Sequence, residues 1–247
     1  MLNQFSRTEM LLGRENLAVL RQAHVAVFGI GGVGGHAVEA LARSGVGKIT
    51  IVDKDTVSLT NINRQIIATH QTVGLPKTEV MKERILSINP EAEIFPKQTF
   101  FLPENAASFD FSVYDYVVDA VDTVAAKIAL VLHAKKASVP IISCMGTGNK
   151  LSPQLLEVTD IYRTSVCPLA RIMRQAMKKN HIDELKVVYS PEKPLRPQGE
   201  AAAECLQDAA GKRSVPGSIA FTPAAAGLLL AAEVIKDLLR KKNSLDV

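Results

Sequence analysis

The segment Gly29-Ile30-Gly31-Gly32-Val33-Gly34-Gly35 directly follows the apolar run Val25–Phe28, and it limits the fold more than any other stretch of the chain. A buried strand that ends in glycines and continues as a helix leaves bare backbone N–H groups at a helix N-terminus. The macrodipole and the missing Cβ atoms let a phosphate approach there. Gly29, Gly31 and Gly34 have the dinucleotide spacing, with Gly32 between them, and Asp53 stands where a carboxylate can take a ribose hydroxyl pair. This pattern specifies a nucleotide without saying which one.

The run from Asp53 to Gln65 narrows the choice. A hydride-transfer enzyme has no need of so many polar groups beyond the second strand. Asp55, Asn61, Arg64 and Gln65 fall near the phosphate end of a nucleotide. Lys77 follows the turn Gly74-Leu75-Pro76 and leads a helix, so its amine can face a β- or γ-phosphate. Asp122, at the end of the strand neighbouring the first, can hold Mg²⁺ on those phosphates. Cations and a metal around a triphosphate stabilise in-line transfer at phosphorus, which speaks for ATP over NAD.

Strands over Val25–Phe28, Lys48–Val52, Glu93–Lys97, Tyr116–Ala120, Pro140–Cys144 and Lys186–Tyr189 alternate with helices over Gln4–Gln22 (broken at Gly13), Val33–Ser44, Thr78–Asn89, Thr123–Ala137 and Pro168–Asn180. Such alternation predicts an α/β fold, a Rossmann-like doubly wound and mostly parallel sheet with flanking helices. We read 1–150 as the ATP-binding core. Residues 151–247 form a smaller basic part of the same continuous domain, with a mobile loop at 191–213 and a final helix. The uncharged stretch 215–232 raises the question of a membrane span. Its Pro216, Gly217, Pro223 and Gly227 instead predict a buried helix starting near Thr222.

The 247 residues, with a net charge of +4, permit a polyanionic partner without demanding one. Cys144, Cys167 and Cys205 lie far apart with no Cys-x-x-Cys pair, which excludes a thiolate zinc cage and fits a reducing cytoplasm. We expect inert thiols at all three. No apolar leader follows the first residues.

Four segments together resemble the ThiF/MoeB adenylyltransferases, relatives of the ubiquitin-activating enzymes. They are Gly29–Gly35, Asp53–Gln65, Val73–Lys77 and Asp119-Ala120-Val121-Asp122. The resemblance implies that an acceptor carboxylate attacks the α-phosphate of ATP, giving an acyl-adenylate and pyrophosphate. It assigns ribose binding to Asp53, phosphate neutralisation to Asn61, Arg64 and Lys77, and Mg²⁺ to Asp122. Arg7 matches an arginine that one subunit lends to its partner in a family homodimer.

The later segments Ser143–Pro153, Asp160–Thr164, Cys167–Arg171 and Val187–Glu192 resemble the tRNA threonylcarbamoyladenosine dehydratase branch of that superfamily. That likeness implies ATP-dependent cyclisation of threonylcarbamoyladenosine at position 37 of tRNA. Arg163, Arg171, Arg174, Lys178 and Lys179 then become candidate phosphate contacts. Activation of a ubiquitin-like sulfur carrier and a non-catalytic adaptor in sulfur transfer stay open as alternatives. So do sulfur-transfer partner proteins, a monovalent cation beside the site, and a covalent intermediate on a cysteine.

Overall fold

The computed structural model describes residues 2–200, 204 and 216–241. Most of the 191–213 loop reading, and Cys205 with it, therefore lies outside the described residues. The helices are α1 (Ser6–Leu12), α2 (Arg14–Gln22), α3 (Gly34–Arg43), α4 (Lys77–Ile88), α5 (Val124–Lys136), α6 (Pro168–Lys179) and α7 (Phe221–Arg240). The strands are β1 (His24–Phe28), β2 (Lys48–Val52), β3 (Glu93–Lys97), β4 (Tyr116–Asp119), β5 (Ile141–Cys144), β6 (Glu157–Asp160) and β7 (Lys186–Tyr189).

All seven strands join one sheet in the order β3-β2-β1-β4-β5-β7-β6. Every pairing is parallel except β6 with β7. The fold is α/β, as the alternation predicts. The edge strand β6 is the element that the sequence pattern misses. Its four residues, Glu-Val-Thr-Asp, carry two acids and no apolar run, because an edge strand buries little.

Register explains where a site can form. Phe28, the last residue of β1, pairs with Val52 of β2 on one side and Asp119 of β4 on the other. The glycine loop, Asp53 and the Ala120–Asp122 turn therefore leave the sheet at one edge. The chain runs from β1 to β2 on one side and places β4 on the other, so that edge is a switch point with a crevice between diverging loops.

Each face of the sheet has its own core. Ala37, Val38, Leu41 and Ala42 form one stripe of α3 and pack with Leu230, Ala231 and Val234 of α7. The backbones come very close: a Cβ on Gly227 would lie 2.3 Å from the Val33 carbonyl oxygen. This contact accounts for the small residues of the uncharged stretch, and no helix among the described residues is long and apolar enough to cross a membrane. The opposite face holds α5, α6 and an aromatic cluster in which Phe28 meets Phe101, Phe109 and Phe111 at 5.2–5.9 Å.

His24 opens β1 against the rings of Phe95 and Tyr114, with its Nε2 2.9 Å from Thr50 Oγ1. Burial lowers its pKa below the ordinary 6.5. The unfolded chain therefore takes up a proton there before the native state does. Its stability contribution is present above pH 6.5 and is lost as pH falls through the lower native value. Urea titrations of wild type and His24→Gln should show a shallower loss on acidification for the variant. Parallel pH profiles would assign that loss to other groups.

Candidate active site

The switch-point crevice is a cavity of about 520 Å³, large enough for a nucleotide. Gly29, Gly31 and Gly32 form its floor. Gly29 has φ +88°, and a Cβ there would strike the Ala120 carbonyl oxygen at 2.7 Å. Gly34 does not line the cavity. It is buried one turn deeper, where a Cβ would lie only 1.8 Å from the Gly29 carbonyl oxygen. Its part is to let helix α3 close against the loop, so it shapes the cradle from behind.

Asp53 organises the entrance. Its Oδ2 accepts from Ile30 N at 2.7 Å and its Oδ1 from Asp55 N at 2.9 Å, tying the end of β2 to the glycine loop. Each oxygen keeps a lone pair for a ligand hydroxyl. Lys54, Thr99, Phe100 and Phe101 line the same side, with the Lys54 ammonium 4.5 Å from the centre of the Phe100 ring. Thr99, Phe100 and Phe101 belong to no motif, and sequence reasoning missed them.

Asp55, Asn61, Arg64, Gln65, Lys77 and Asp122 all line the cavity. Lys77 arrives through a staple between two distant segments. Val57 N donates to Leu75 O at 2.8 Å, Lys77 N to Asp55 O at 3.0 Å, and Thr56 bridges Pro76. The Lys77 side chain is 6% exposed, and its Nζ meets Asp55 Oδ2 at 3.2 Å. A desolvated ammonium with an exposed carboxylate partner is poised to exchange that partner for a phosphate.

Asn61 is fixed by accepting from Ser58 N at 3.2 Å. Arg64 donates to Thr60 O at 2.9 Å, and its stem covers Gly32. Gln65 is 6% exposed and its Oε1 is buried without a hydrogen-bond partner. An orphaned buried acceptor in a cavity wall marks a place where a ligand donor belongs.

Asp122 presents an exposed carboxylate at the cavity edge. The described residues contain no group of three or more His, Cys, Asp or Glu able to hold a metal. One carboxylate beside a phosphate cradle suits Mg²⁺, which keeps its waters and binds phosphate oxygens. Arg7 is not brought to this cavity: it is exposed on α1, as are Met10 and Leu11.

Two buried groups escaped the sequence reading as site residues. Asp119 and Lys127 pair at 2.9 Å with neither side chain exposed. A charge inside an apolar strand and another inside an apolar helix are the signal that could have found them. Among the candidate tRNA contacts, Arg163, Arg171, Lys178 and Lys179 are exposed on and beside α6. Arg174 is partly buried and donates to Thr164 O at 2.9 Å.

Cys144 lines the cavity but is 4% exposed, and burial pushes its thiol up to about 12. At neutral pH the thiolate, the form that attacks, is strongly disfavoured. Cys144→Ala should therefore keep turnover within about threefold of wild type, as expected of an inert thiol. A loss above a hundredfold in a folded variant would reinstate a thioester. Cys167, at the start of α6, is also buried.

The ThiF family model matches residues 5–246. A Bacillus subtilis tRNA threonylcarbamoyladenosine dehydratase is 43% identical over 244 residues, spanning 97% of this chain and 96% of its own. The Escherichia coli tRNA N6-threonylcarbamoyladenosine dehydratase solved in complex with ATP is 34% identical with a TM-score of 0.87. That likeness covers 97% of this chain and 95% of the other. The molybdopterin-synthase adenylyltransferase of Escherichia coli is 36% identical over 124 residues, only 50% of this chain.

Proposed function

The chain belongs to the ThiF family, and from that premise we propose that it is an ATP-dependent tRNA threonylcarbamoyladenosine dehydratase. The likeness to proteins of that name over nearly the whole of both chains carries the substrate reading. The likeness to the molybdopterin-synthase adenylyltransferase covers only half the chain, which favours the dehydratase reading over activation of a sulfur carrier.

In this reading the backbone N–H groups of Gly31 and Gly32 and the side chains of Asn61, Arg64 and Lys77 hold the triphosphate. Asp53 takes the ribose and Gln65 the remaining ligand donor. Asp122 would hold Mg²⁺, which supplies charge neutralisation when bound. The threonine carboxylate attacks the α-phosphate, forming a C–O–P linkage as pyrophosphate leaves. A group of the same modified side chain then displaces AMP and closes the ring, with net loss of water. The attacking group is tethered, so the second step benefits from a high effective molarity and needs no enzyme nucleophile. The exposed cations of α6 face solvent where an anticodon stem can lie, and the cytoplasm supplies both substrates.

Pyrophosphate release should require tRNA carrying threonylcarbamoyladenosine. Equal release with unmodified tRNA would refute the substrate assignment and leave ATP cleavage standing.

The enzyme works as a homodimer in which Arg7 of one copy reaches the other copy's triphosphate. The exposed Arg7, Met10 and Leu11 on one short helix support this reading. Mixing Arg7→Ala with Lys77→Ala chains should restore about a quarter of wild-type turnover, since each mixed dimer keeps one intact site. No recovery would place Arg7 in its own chain's site or outside the chemistry.

A further inference from the structure

Asp119 is the last residue of β4, and its carboxylate has no exposure. Three donors make four hydrogen bonds to it. Lys127 Nζ reaches Oδ1 at 2.9 Å and Oδ2 at 3.0 Å, the Ser143 hydroxyl donates to Oδ2, and Val121 N donates to Oδ1 at 3.2 Å. A carboxylate has about four lone-pair positions, so Asp119 has none left for a metal or a substrate. Its role lies in what it connects: the end of β4, the neighbouring β5 through Ser143, the first turn of α5 through Lys127, and the turn that carries Asp122.

That turn is in contact with the nucleotide cradle. Ala120 N donates to Phe28 O at 2.9 Å. The Ala120 carbonyl is the atom a Cβ on Gly29 would meet at 2.7 Å, and its Cβ lies 3.2 Å from the Cβ position of Gly34. A shift of the turn therefore moves Asp122 relative to the glycine loop. Burying two charges costs several kcal/mol that an apolar pair would not, so stability alone is a weak account of this arrangement.

We propose that Lys127 and Asp119 are positioning residues whose buried ion pair holds the Ala120–Asp122 turn against the glycine loop and sets where Asp122 meets metal-bound triphosphate. The inference rests on the ATP reading above. Neither residue touches substrate. Replacing both charges with neutral groups of similar shape should leave a folded protein whose cradle still takes nucleotide but whose Asp122 is misplaced.

The test is calorimetric titration with AMP, with ATP alone, and with ATP plus Mg²⁺, beside thermal melts. Lys127→Met/Asp119→Asn should bind AMP within about threefold of wild type and lose about tenfold of the affinity gained on adding Mg²⁺. Asp122→Asn should lose the same gain, and adding it to the double variant should cost nothing more. Unchanged Mg²⁺ dependence in the folded double variant, or simple additivity with Asp122→Asn, would overturn the proposal. Should the double variant fail to fold, Ser143→Ala keeps the ion pair and removes one donor. A partial loss of the Mg²⁺ gain is then expected, and no loss would count against the role. Wild type that binds no ATP would instead refute the reading beneath it.

Discussion

Lys77→Ala is expected to lower kcat by about 10²–10³-fold while raising the KM for ATP much less, because a cation aimed at a leaving pyrophosphate acts mostly in the transition state. The expectation follows from the surroundings of its ammonium. The Lys77 side chain is 6% exposed and is held by the staple between 55–57 and 74–77, so little reorganisation is needed when charge builds on phosphorus. Arg64→Ala should give a loss of similar size. Asp55→Ala is the informative control. It removes the resting partner of Lys77 at 3.2 Å and should cost less than about tenfold, since the ammonium then turns to phosphate without competition. Pyrophosphate release under saturating ATP measures all three. Equal losses from Lys77→Ala and Asp55→Ala would mean that the pair acts as a structural unit. A chain that merely docks other proteins would be nearly indifferent to every one of these changes.

Gly34→Ala is expected to damage the fold, whereas Gly31→Ala should damage the site. A Cβ at Gly34 would sit 1.8 Å from the Gly29 carbonyl oxygen, a backbone atom that cannot turn aside. The loop or helix α3 must move, at a cost above about 3 kcal/mol, at the upper end for overpacking. For a chain of this length that lowers the melting temperature by about 6–12 °C. A Cβ at Gly31 meets nothing closer than Gln65 Nε2 at 3.8 Å, so melting should barely change. That methyl group would project into the cavity beside the orphaned Gln65 amide and should weaken ATP binding about tenfold or more. Melts and nucleotide titrations on the two variants separate the roles. Similar melting temperatures for both would remove the distinction between packing glycine and phosphate glycine.

Much of this was legible along the chain because it is encoded locally. A continuous apolar run such as Val25–Phe28 has to be buried, and glycines directly after it permit the turn. The polar residues from Asp53 to Gln65 lie just beyond a strand end, where a doubly wound sheet puts its ligands. The edge strand β6 was not legible, since four half-exposed residues with two acids lack the apolar signal of a strand. The wall built by Thr99 and Phe100 was hidden for a related reason. Those residues belong to no motif and reach the cavity only because β3 pairs with β2.

The sequence by itself determined the α/β class and the glycine turn after β1, and it singled out the polar residues that line the cavity, all of which follow from the order of neighbouring residues. Only the tertiary structure decided that Gly34 packs while Gly31 faces the cavity, that Lys77 is desolvated, and that Asp119, Lys127 and Ser143 converge beneath Asp122. Those outcomes depend on which distant segments share one strand edge and one buried volume. Burial and close approach are properties of that packing, and they give a lysine or a carboxylate its working environment.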